Sequence, residues 1–254
     1  MLQDRAHEIV DLGNDELREV IGMFLGHVIT HYGIWFTQAA LKMGVSEAVV
    51  LEQKVVQRHF QSAMTRLAPH FNIQTRDGVP AILFEKSREE LLLLISDIAK
   101  MWVIGDGLWF QAIESPHGME QAKAVNDSCW SIFARLEAFK IKRFLDVNET
   151  DILDTLEKAL KLRIYSSINS HSSERDEKGN LLFYMTECRV QSARRRKQMN
   201  DYPCRSAGIT EYTEFALGID PNIVTECVYC PPDRVPDQQF CAWRFSLKKY
   251  LARN

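Results

Sequence analysis

Five of the six cysteines fall between residues 188 and 241: Cys188, Cys204, Cys227, Cys230 and Cys241. Sulfur at this density can pack as a small hydrophobe, hold a soft metal, or attack an electrophile as a thiolate. Cys188 and Cys241 sit in apolar, strand-like stretches where packing alone explains them. Cys227-Val-Tyr-Cys230 has the two-residue spacing of a metal-binding pair, and Pro231 can end the strand so that both sulfurs turn the same way. The expected ligand set is Cys227, Cys230, Cys188 and Cys241, holding zinc or an iron–sulfur cluster. The competing expectation makes Cys204 a nucleophile. It follows Asp201-Tyr-Pro203 and precedes a helix, so first-turn amides, Arg205 and the run Arg194-Arg195-Arg196-Lys197 would all favour its thiolate, with Cys188 or Cys227 close by. No histidine follows Cys204, so a Cys–His pair would need His171 or a histidine from the N-terminal half.

A second group of residues lies far from the cysteines. Asp106 and Glu114 are acids on an otherwise apolar helical stretch, where a carboxylate is costly unless paired or hydrated. With Trp109, and with His31 from a similar stretch upstream, they are expected to line a pocket.

Two kinds of architecture must position these groups. From Asp15 to about Phe144 apolar residues recur at three and four, as in Leu17, Val20, Ile21, Phe24, Leu25 and Val28, so this half reads as helices. Gly33-Ile-Trp-Phe followed by Gly44, and Gly107-Leu-Trp-Phe followed by Gly118, share an eleven-residue spacing. The expectation is a duplicated helical hairpin forming a four-helix bundle over residues 1–150, with close helix approach at Gly33 and Gly107. A helix is expected over Val45–Leu67 with Ser46 as its cap, and a hairpin or plain connector around Arg76-Asp77-Gly78. Ser87 and Glu90 form a capping box for a third helix, and a fourth runs from about Met119 to Leu145. In that last helix Cys129 is expected to be buried.

After Thr150 the pattern changes. A helix over Asp151–Leu162 leads to strands near Arg163–Ser173 and Leu181–Val190, helices near Val190–Met199 and Ala207–Leu217, and strands over Ile223–Cys230 and Gln239–Leu247. The fold class is α+β, with residues 151–254 a ββααββ domain built on an antiparallel sheet.

The residues of this half carry a resemblance. Cys188-Arg, Pro203-Cys204, Asp220-Pro221 and Cys241-Ala-Trp-Arg-Phe, taken with the order of elements, resemble proteins grouped around L-2-amino-thiazoline-4-carboxylic acid hydrolase, from about Lys161 to the end. Gly107-Leu-Trp-Phe and Cys230-Pro-Pro-Asp233 are similar to a related uncharacterised cytosolic family of anaerobic bacteria and archaea, over most of the chain. The resemblance implies a cytosolic, hydrolase-like protein of anaerobic metabolism, with Cys188, Cys204 and Cys241 at the hydrolase-like cysteine positions.

Composition limits the partners. Against 34 acidic residues stand 31 Lys and Arg, a formal charge of −3, which gives no electrostatic footprint for nucleic acid or an anionic membrane. Acids among the first residues argue against a signal peptide, and no run of about 18 apolar residues stands out. The expectation is a cytoplasmic protein, as a single chain or a homodimer. It is either a cysteine-centred enzyme acting on a small sulfur- or nitrogen-containing metabolite, or a sensor and interaction module that binds a small molecule, a metal or a cluster.

Overall fold

A computed structural model describes residue 9 and residues 13–145, 151–196, 198, 200–237 and 239–248. It contains helices and two antiparallel sheets, so the fold is mixed α and β. The chain forms two compact units, 1–57 and 58–254.

In the first unit, helix α1 (Asn14–Met43) ends at Gly44, whose φ of 88° lies where a side chain is strained. Helix α2 (Val45–Leu67) starts at once, so Gly44 stands in the capping position expected of Ser46. The Tyr32 hydroxyl donates to Glu52 Oε1 at 2.9 Å and ties α1 to α2, while Ala40, Ala48 and Val49 are buried nearby. Most large apolar side chains of α1 are exposed, among them Phe24, Ile29 and Trp35, the last at 68%. The stretch Val20–Met43 is also long and apolar enough to cross a bilayer by length and composition, with a mean hydropathy of 1.2, which corrects the expectation that no such stretch exists.

The second unit takes in the end of α2 and a 3₁₀ turn at Ala68–Phe71, then a hairpin of β1 (Thr75–Arg76) and β2 (Val79–Pro80), turned by Asp77 and Gly78, both at positive φ. Helix α3 (Arg88–Leu145) begins at the capping box: Ser87 N–H donates to Glu90 Oε2 at 2.8 Å, and Glu90 N–H to Ser87 Oγ at 3.2 Å. Gly118, with φ of 84°, interrupts α3. Gly44 and Gly118 thus break their helices at a similar positive φ, each eleven residues after Gly33 or Gly107. The close approach expected at those two earlier glycines is absent, because a Cβ on either would meet no heavy atom within 4 Å. Cys129, on the second part of α3, is exposed rather than buried.

Helix α4 (Ile152–Lys161) is capped by Asp151, whose carboxylate accepts from the N–H groups of Leu153 and Asp154. The stretch expected to start a strand at Arg163 instead makes a 3₁₀ turn at Ile164–Ser167 before strand β3 (Ser170–Arg175). Strand β4 (Leu181–Glu187), helices α5 (Arg189–Arg196) and α6 (Arg205–Ile219), and strands β5 (Ile223–Tyr229) and β6 (Cys241–Leu247) follow. The sheet order is β3-β4-β6-β5, antiparallel throughout.

Helix α6 lies between the sheet and α3, which explains its buried residues on more than one side: Ala207, Gly208, Glu211, Tyr212, Phe215, Ala216 and Ile219. Two glycines permit this. A Cβ on Gly208 would sit 2.6 Å from the Trp243 ring on β6, and one on Gly218 would sit 2.7 Å from Ala138 Cβ on α3. The core fills around them with Leu156, Leu160, Leu181, Phe183, Phe215, Trp243 and Phe245.

Candidate functional site

Close packing at Gly208 brings the start of α6 onto β6 and onto the loop that leaves β5. The Arg205 N–H donates to the Pro231 carbonyl at 2.9 Å, and the Arg205 guanidinium grips the Asp233 carboxylate at 2.6 and 2.8 Å. These bonds pin the segment carrying Cys230 beside Cys204. The two sulfurs are 3.4 Å apart. Cys230 is buried, at 1% exposure, and just past the end of β5.

On the other side of Cys204 stands Gln191, buried in α5. Its side-chain Nε2 donates to the Tyr202 carbonyl at 2.8 Å and to Cys204 Sγ at 3.5 Å, while its Oε1 accepts from the Tyr202 N–H at 2.8 Å. Lys123 on α3 holds the same bend by donating to the Pro203 carbonyl at 2.5 Å. The bend at 201–203 is therefore fixed from α5 and from α3.

Cys204 faces a cavity of about 640 Å³. Cys188, Cys230 and Cys241 also line it, together with Asp106 and Glu114 from α3 and Tyr165, Glu211 and Tyr212 beneath. Below the floor, Arg163 is 3% exposed and is held between two acids, Glu137 Oε2 at 2.8 Å and Glu211 Oε1 at 2.6 Å. Breaking one arm of such a buried group would strand a charge away from water.

The thiols differ sharply in acidity. Hydrogen bonding from Cys230 holds the Cys204 thiol below its ordinary range, helped by Gln191 and its own N–H and opposed by burial. The helix start itself gives no side-chain cap at Cys204, so the expected cause, first-turn amides, is replaced by a neighbouring thiol and an amide. Donation to Cys204 pushes the Cys230 thiol up, as do donation to Cys241 and burial. Burial also raises Cys188 to about 12, although the N–H groups of Val190 and Gln191 donate to it. Cys227 is pushed up to about 11, chiefly by burial. Cys241 accepts from the Trp243 indole N–H at 3.3 Å. Burial raises the Asp106 carboxyl.

Several expected residues lie elsewhere. Arg205 is outside the cavity lining, engaged with Asp233, and acts as a clamp on the loop. Trp109 is 74% exposed and outside the lining, and His31 belongs to the first unit. Cys227 is outside the lining too, and among the described residues no group of three or more His, Cys, Asp or Glu is arranged to hold a metal ion. Strand β5 does end at Tyr229, but the set Cys227, Cys230, Cys188 and Cys241 does not gather around a zinc or a cluster. Among the described residues no histidine lines the cavity, and His171 stacks on Phe183 instead. Of the basic run, Arg194 and Arg196 reach the lining, Arg195 pairs with Asp201, and Lys197 lies outside the described residues.

Gln191, Arg163 and Glu211 carry no sequence signal that separates them from surface residues. Only the alternation of apolar neighbours hints that α6 is buried on more than one face, and with it Glu211.

Among known protein families, the one described as a family of unknown function, DUF6125, matches residues 84–247. Every residue lining the cavity lies inside that range. No curated protein and no solved structure matches the chain.

Proposed function

The chain belongs to the DUF6125 family, and we propose that it is a cysteine-centred enzyme acting on a small sulfur- or nitrogen-containing metabolite, with hydrolysis as its reaction. The observation that carries this reading is Cys204: its sulfur is on the wall of the cavity, 3.4 Å from Cys230 Sγ, and accepts a hydrogen bond from Gln191 Nε2 at 3.5 Å. A thiolate so held is the form that attacks. In the reaction, Cys204 Sγ bonds to the carbonyl carbon of an amide or thioester group, whose bond to nitrogen or sulfur breaks. The departing nitrogen or sulfur takes the proton of the Asp106 carboxyl. Water then attacks the thioester, giving one proton back to Asp106 and one to solvent, and Cys204 leaves as thiolate. Cys188 stays protonated beside this centre and shapes its wall.

The resemblance to L-2-amino-thiazoline-4-carboxylic acid hydrolase-like proteins supports the same chemistry, as does the duplicated glycine–tryptophan motif for the hairpin ancestry of the helices. A cytoplasmic protein acting alone or as a homodimer, with no nucleic acid as partner, completes the reading on the strength of its near-balanced charge.

A pH series of iodoacetamide labelling, read residue by residue by peptide mass spectrometry, tests the nucleophile. Cys204 is expected to label below pH 7 about tenfold faster than Cys129. Cys129 is exposed, so it controls for access. Equal rates for the two would remove the enzyme reading and leave a small-molecule sensor.

A further inference from the structure

The addition chemistry uses Cys230 only to hold Cys204 ionised, yet Cys230 is placed for more. Its Sγ lies 3.4 Å from Cys204 Sγ, and the residue is buried while lining the same cavity. A disulfide needs the sulfurs at about 2.05 Å, so closure asks for an approach of roughly 1.4 Å. Cys230 lies in the loop after β5 rather than in the ladder, so the approach asks for no break in the sheet. Cys188, although on the same wall, has no hydrogen bond to Cys204.

We propose that Cys204 and Cys230 are a redox-active dithiol that reduces a small-molecule disulfide admitted to the cavity. The inference rests on Cys204 being the cavity's nucleophile. In the first step the Cys204 thiolate attacks one sulfur of the disulfide, forming a mixed disulfide and breaking the ligand's S–S bond, with one thiolate leaving. In the second step Cys230 loses its proton to a departing thiolate and attacks Cys204 Sγ, forming the Cys204–Cys230 bond and expelling the second half of the ligand. One disulfide is reduced to one thiol and one thiolate, and two protein sulfurs are oxidised.

The order of events is built into the hydrogen bond. The hydrogen bond to Cys204 is the leading cause that holds the proton on Cys230, ahead of its bond to Cys241 and burial. Once Cys204 carries the ligand sulfur it is no longer a thiolate acceptor, and that hold on the Cys230 proton weakens as its attack is needed.

The test uses the full chain, reduced and handled without oxygen, with 2-hydroxyethyl disulfide as probe. The reaction is quenched with acid and N-ethylmaleimide and read by non-reducing peptide mass spectrometry. The expected result is a linked pair of peptides carrying Cys204 and Cys230, loss of two free thiols per chain, and release of two equivalents of 2-mercaptoethanol. In Cys230→Ser the mixed disulfide on Cys204 should accumulate about tenfold above its level in the unaltered chain. The unaltered chain carries the test by itself if that variant fails to fold. A persistent mixed disulfide there, or a link from Cys204 to Cys188, overturns the dithiol while leaving the nucleophile standing. Failure of Cys204 to take either the disulfide or iodoacetamide removes both.

Discussion

Two helices begin with a cysteine on the wall of the same cavity, and the two cysteines behave in opposite ways. Cys188, at the start of α5, receives backbone N–H groups of Val190 and Gln191, the arrangement expected to favour a thiolate, yet burial carries it up to about 12. Cys204, at the start of α6, has no such cap, yet its thiol lies below the ordinary range. What separates them is the company of side chains. Cys204 has a donor thiol and a donor amide, Cys230 and Gln191, whereas Cys188 is enclosed without a comparable donor. A helix terminus offers a fraction of a charge. Against burial that fraction is outweighed, and a specific hydrogen bond decides.

The strongest way to break the contrast is to move α6 itself. Gly208→Ala places a Cβ 2.6 Å from Trp243 and 3.8 Å from Cys230 Sγ. Overpacking of this kind typically costs about 1–3 kcal/mol. The expected outcome is a lowered denaturant midpoint together with slower labelling of Cys204. A midpoint like that of the unaltered chain would mean that the close approach of α6 to β6 is not a constraint.

A finer cut removes only the donor. In Cys230→Ala the labelling of Cys204 at pH 6.5 should fall about tenfold, the equivalent of one unit in its thiol. Unchanged labelling would return the credit to the helix start.

The smallest effect is on stability at alkaline pH, and it concerns Cys188. Its thiol is raised on folding, so the folded chain holds that proton more tightly than the unfolded chain does. The resulting stability is fully present below the unfolded thiol range, about 8.5, and is lost as pH rises toward 12. Cys227, raised to about 11, acts in the same sense, and Cys204, lowered on folding, acts in the opposite one. Urea midpoints between pH 8 and 10 should decline, and should decline less in Cys188→Ala. A steeper decline in the variant would show that Cys188 is not the buried acid described.

The contrast also shows what a sequence discloses. Features whose partners lie within four residues were legible: the Ser87–Glu90 box, the Asp77-Gly78 turn, and the helix breaks at Gly44 and Gly118. Features made by distant segments were not. Tight glycines were expected at Gly33 and Gly107, where the motif repeats, but the tight ones are Gly208 and Gly218, because closeness depends on what packs opposite. Cys204 was legible as a special sulfur from the proline before it and the helix after it. Its actual partners, Cys230 and Gln191, lie 26 and 13 residues away along the chain, and spacing alone gave no reason to prefer them over Arg205.

Helix α6, covered by α3 on one side and by the sheet on the other, has a consequence for how the protein breathes. Its amides should exchange hydrogen only in openings close to global unfolding, while α5, eight residues long with Arg195 and Arg196 exposed, belongs with the segments that open locally. The cavity therefore has one slow wall and one fast wall. A molecule entering by a brief parting of α5 would find Cys204 already in place, anchored to the segment of the protein that moves last.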